Sequence, residues 1–173
     1  ALRGEYVVYT AHLDHLGVGP AVNGDSIYNG ALDDAAGSAV VLEVARAFTL
    51  LPHPPRRSIL FLLVTGEEAG LLGSTFLAAN PPVPAGRLAA DINMDSMNIW
   101  GRTRDVTQIG LGKSDLDQWI GALAEQQGRR LAPEPFPELG EFYRSDQFSL
   151  ARIGVPGAYL KAGTDMVGRP PGW

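Results

Sequence analysis

Residues 6–11 and 58–64 are runs of β-branched and large apolar side chains, and 89–94 is a weaker run of the same kind; all three read as buried strands. Between the first two, Val40, Val41, Val44, Ala45, Phe48 and Leu51 recur at three- and four-residue spacing. That period places them on one face of a helix over about 36–51, which Pro52, Pro54 and Pro55 then stop. A second helix is expected over 71–80, ended by Pro81 and Pro82. A third, from Ser114 as N-cap to about Gln127, should bury Leu116, Trp119, Ile120 and Leu123. Pro133, Pro135 and Pro137 mark an extended surface segment. Ser145 is expected to cap a short helix through Phe148 and Ala151 to Gly154, and 157–160 reads as a last strand. Strands alternating with helices predict a layered α/β fold on a mostly parallel sheet, and there is no internal repeat.

Composition narrows the picture. The chain of 173 residues suits one domain, and Gly with Pro, about a fifth of it, points to long turn-rich connections. Its longest apolar run, 59–64, spans six residues where a membrane-crossing helix needs roughly 20, so membrane insertion is not expected. A net charge of -5 gives no electrostatic footprint for nucleic acid or an anionic membrane. With no cysteine, disulfides and thiolate metal sites are excluded, and any metal must be held by imidazole and carboxylate. The chain opens on a strand-like run with no signal-peptide pattern, and it reads as cut from something longer.

In open α/β sheets the loops beyond the carboxyl ends of the strands diverge and leave a crevice for ligands. Here the first strand runs into His12 and Asp14, the second into Glu67 and Glu68, and the third into Asp95. Asp33 and Asp34 stand just before the long helix, whose N-terminus favours carboxylates. Taken singly, each has a plain structural account: a hydrogen-bonded histidine, a helix cap, a solvated helix start, a turn aspartate. Taken together they are four element ends carrying metal-ligand side chains, a donor set suited to zinc, manganese or cobalt. Two cations would also balance the excess of acid.

The segments AHLDHLG (11–17), NGALDDAAG (29–37), VTGEEAGLLGS (64–74) and NMDSMN (93–98), in this order, resemble metallopeptidase family 28, the dizinc aminopeptidases. The stretch 142–165 resembles that family's late pocket region. The resemblance implies a three-layer α/β/α sandwich with a mostly parallel mixed sheet, and a single metallopeptidase catalytic domain over 1–173, truncated at both ends. It further implies that His12 and Asp95 hold one zinc, that Glu68 and a later histidine hold a second, and that Asp33 bridges the two. Glu67 is then the general base and Asp14 orients His12 through its other ring nitrogen. A cis peptide is expected at Asp33–Asp34.

The substrate implied is a peptide with a free N-terminus, and the resemblance favours a periplasmic or secreted location. The later histidine has no counterpart, because the only histidines are His12, His15 and His53. His15 has two readings, a place near the metals or, preferred, a surface or outer position, and His53 is read as solvated. One zinc or none is therefore expected in this chain, against two in a longer parent. Two other readings stay open: a peptidase fold that binds peptide without turnover, and a glutaminyl-cyclase-like acyltransferase with a single zinc.

Overall fold

The computed structural model describes residues 2–170, which leaves Ala1 and 171–173, the ends of the expected domain, outside it. A six-stranded sheet forms the middle layer, built from β1 (Leu2–His12), β4 (Arg57–Val64), β5 (Leu88–Met94), β6 (Asp105–Ile109), β7 (Arg130–Pro133) and β8 (Gly157–Ala162). Its spatial order is β4-β1-β5-β8-β6-β7. Every neighbouring pair is parallel except β6 with β8. A small antiparallel hairpin, β2 (Gly17–Val22) with β3 (Asp25–Tyr28), stands apart from the sheet.

Alternation along the strands assigns the two faces. On one, Val8 packs with Leu88, Leu150 and Val155, and with Leu60, Leu62, Leu77 and Ala78, under α2 (Leu72–Ala79) and α4 (Gln147–Ala151). On the other, Ala11 and Met94 meet Val41 of α1 (Ala36–Thr49), flanked by Tyr9, Phe61 and Leu63. Phe48 seats the far end of α1 against Tyr9 and Phe61, with ring centroids 5.9 Å from each. α3 (Leu116–Gln126) packs on β7 and β8. Helices on both faces of a mostly parallel sheet make the expected α/β sandwich.

Several local expectations change. β4 lies at the sheet edge, so its apolar run is half-buried rather than enclosed. Two of the residues expected inside α3 are exposed, Trp119 at 70% and Leu123 at 56%, and Ala124 is the buried one. Leu123, with Ile120, borders an open apolar cleft of about 440 Å³ over Ile92, Val106 and Leu160 that α3 does not fill. Ser114 is not the cap of α3, which starts after Asp115 with no side-chain cap. Ser145 does not cap α4 either, because its hydroxyl is drawn to Asp95. Of the proline-marked segment, 130–133 is an edge strand, which tolerates a proline that cannot donate to the ladder.

Candidate metal centre

β1, β4 and β5 are adjacent and parallel, so their carboxyl ends open on the same edge of the sheet. His12 is the last residue of β1 and is 1% exposed. Its Nδ1 lies 3.0 Å from the main-chain oxygen of Asp14. A carbonyl can only accept, so this contact places the proton on Nδ1 and leaves the Nε2 lone pair free in the neutral ring. Nε2 faces Asp33 Oδ1 at 3.1 Å and Asp95 Oδ1 at 4.0 Å.

The carboxylate of Asp14 lies 3.7 Å from the same Nδ1. The steadying hydrogen bond comes from its carbonyl instead, and the carboxylate accepts the amides of Glu67 and Glu68, each at 3.2 Å. One side chain thus ties the end of β1 to the turn after β4. On that turn, consecutive side chains diverge, and Glu67 and Glu68 go to different groups of partners. Donor atoms of His12, Glu67 and Asp95 lie within 4.8 Å of one another; so do those of His15, Asp33 and Glu68.

Asp95 follows β5 and is fixed from both sides, Oδ1 accepting from Ser96 Oγ at 3.0 Å and Oδ2 from Ser145 Oγ at 2.6 Å. Asn93 donates to Ser145 Oγ and to Gln147 Oε1, which carries the support into α4. Asp33 and Asp34 are joined by a cis peptide. Asp34 is buried, and its carboxylate accepts the amides of His12, Gly37 and Ser96, binding β1, α1 and the turn after β5 together. Asp33 reaches the other way, toward His12 and a cavity of about 230 Å³. Glu141, Arg144, Tyr159 and Lys161 line the same cavity.

Crowded carboxylates with little water shift one another. Burial pushes Glu67 up to about 7; His12 opposes this, while Asp95, Asp146 and Glu68 add to it. Burial also lifts Asp34 to about 7, with Asp95 adding repulsion against the pull of His12 and the donated amides. For His12 burial works against protonation, but Asp34, Asp95 and Glu67 together outweigh it and raise its pKa.

These residues fit a cation. His12 Nε2, Asp33 Oδ1, Glu68 Oε1 and His15 Nδ1 are buried atoms without a hydrogen-bond partner, a costly state that a bound metal relieves. The sequence-derived residues His12, Asp33, Glu67, Glu68 and Asp95 all converge here. His15 does too, taking the place beside the candidate ligands rather than the preferred outer one; the sequence signal for it is the second imidazole in His12-Leu13-Asp14-His15, three residues beyond the first. The supports Asp34, Asn93 and Ser145 were not singled out for these roles, because each acts through a partner far along the chain.

The sequence profile of peptidase family M28 matches residues 2–169. A probable zinc metalloprotease of Pyrenophora tritici-repentis is 45% identical over 71 residues, which is 41% of this chain and 14% of that protein. The LapA aminopeptidase of Legionella pneumophila superposes with a TM-score of 0.74 at 21% identity, over 98% of this chain and 44% of its own. The glutaminyl cyclase of Porphyromonas gingivalis gives a TM-score of 0.69 at 19% identity, over 99% of this chain and 62% of its own. The chain thus spans a seventh of that curated relative and less than half of LapA.

Proposed function

Because the chain belongs to peptidase family M28, we propose that it carries the catalytic centre of a zinc aminopeptidase, which removes residues from the free N-terminus of peptides. The observation that carries this reading is the position of Asp33. Its Oδ1 is 3.1 Å from His12 Nε2, yet the same side chain belongs to the donor group of Glu68, so one carboxylate stands between two sets of ligands. His12 and Asp95 would hold one zinc and Glu68 the other, with Asp33 facing both. Bound zinc supplies a Lewis acid for the scissile carbonyl and makes water a better nucleophile at neutral pH.

The remaining work falls to the protein. Glu67, lifted to about 7, takes the proton from the attacking water and passes it to the departing amine. Asp14 holds the Glu67 amide and thereby fixes where that carboxylate can reach. The preference for a free N-terminus is carried over from LapA, an aminopeptidase whose fold this chain shares.

The test is hydrolysis of amino-acid anilides by the zinc-loaded protein, with the amine free or acetylated, alongside a peptide with N-terminal glutamine. Anilide release from the free amine only, lost to a chelator and restored by zinc, is the expected result. Cyclisation of the glutamine without hydrolysis would move the assignment to an acyltransferase, whose fold is matched nearly as well. Zinc binding with neither reaction would leave a peptide-binding module.

A further inference from the structure

The first metal site has its imidazole in His12, and the second donor group, Asp33 with Glu68, has His15 beside it. We propose that His15 joins Asp33 and Glu68 as the imidazole ligand of the second centre through Nδ1. The inference rests on the metallopeptidase reading above and extends it to a residue outside the matched ligand set.

Three observations carry it. His15 Nδ1 lies 2.7 Å from Glu68 Oε1, but both are buried atoms that satisfy no hydrogen bond. A structural His–Glu pair would aim an N–H at the oxygen; this close contact lacks that alignment, and a cation held by both atoms would satisfy them together. Next, donor atoms of His15, Asp33 and Glu68 all lie within 4.8 Å of one another. Zinc bonds of about 2.0–2.2 Å can be reached from that spread by small side-chain rotations. One imidazole and two carboxylates also give the three protein ligands usual at a catalytic zinc, with a fourth position left for water or substrate.

The third observation is local. Gly30, at φ 64°, packs against the base of the His15 side chain, and a Cβ there would collide with its Cβ and Cγ. The chain makes room for this histidine and holds it against the residue that leads into Asp33. His53 offers no alternative, since it is exposed in the loop between α1 and β4, which enters the sheet at the opposite edge.

Metal-free protein is titrated with Zn2+ by calorimetry and with Co2+ by visible absorption, and bound metal is counted after dialysis. The wild-type chain, His15→Ala, His15→Gln and His53→Ala are compared, with circular dichroism to confirm folding. Wild type and His53→Ala should bind two equivalents. Both His15 variants should keep the first and lose the second, or bind it at least about tenfold more weakly, with the matching part of the cobalt absorption gone. Two unchanged equivalents in the His15 variants, or one equivalent in all four proteins, would overturn the proposal while leaving the metallopeptidase reading intact. No metal bound by the wild type would overturn both.

Discussion

A carboxyl group lifted to about 7 can accept and return a proton near neutral pH, which an ordinary surface glutamate does poorly. Glu67→Gln keeps the size of that side chain and removes its proton chemistry. Turnover should fall by at least about a hundredfold, with metal content unchanged, when anilide hydrolysis and metal analysis are run on the same preparation. Loss of a metal equivalent would instead make Glu67 a ligand, a role its closeness to His12 and Asp95 also allows. Asp33→Ala should weaken both metal equivalents together, since one carboxylate faces both donor groups; retention of one at wild-type affinity in a zinc titration would contradict bridging. At this scale the sequence was informative where chemistry needs a particular side chain at a strand end, as with His12, Glu67, Glu68 and Asp95. It was uninformative about Asp34, Asn93 and Ser145, whose roles exist only once distant segments meet.

Among the elements, α1 approaches the end of β5 so closely that Gly37 has no room for a side chain: a Cβ would strike the Asp34 carboxylate and the Met94 carbonyl. Alanine there gains about 1 kcal/mol in helix propensity, but overpacking costs about 1–3 kcal/mol and here meets main chain, which gives poorly. Gly37→Ala should therefore lose about 2 kcal/mol by urea denaturation, and the displaced Asp34 should loosen its hold on the His12 and Ser96 amides. The elements legible in the sequence were those with a long apolar period, such as α1, or an unbroken apolar run, such as β1 and β4. β2, β3 and β6 were not expected as strands: the hairpin is largely exposed, and β6 interleaves Thr107 and Gln108 with Val106 and Ile109, so no apolar run marks it. β7 gains its identity only from pairing with β6.

For the molecule as a whole, the middle layer contains an ionisable group with no part in the metal site. Asp91 on β5 is fully buried, its Oδ1 accepting from Thr10 of β1 and its Oδ2 without a partner. Burial raises it to about 7 from an ordinary 3.8; the Thr10 bond opposes this and Asp146 adds to it. Between those two values the folded chain holds a proton that the unfolded chain has released, so raising the pH through this window removes stability, by at most about 1.4 kcal/mol per pH unit. Asp91→Asn abolishes that dependence. The stability difference between variant and wild type, from urea midpoints at pH 5, 6, 7 and 8, should move in favour of the variant up to about 7 and then level off; a constant difference would mean that Asp91 ionises at its usual value. The strand order has a different kind of consequence. His12, Glu67, Glu68 and Asp95 follow from three contiguous strands, β1, β4 and β5, and Asp33 from the turn before α1, whereas Tyr159 and Lys161 of the shared cavity come from β8, next to β5 on its other side. Since β6 runs against β8, the pocket beside Lys161 and Thr164 is bordered by the loop around Trp100, a stretch of chain entering a strand rather than leaving one. Tyr159 nevertheless hydrogen-bonds with Asp95, so a change on β8 is also felt at the strand ends that carry the proposed ligands.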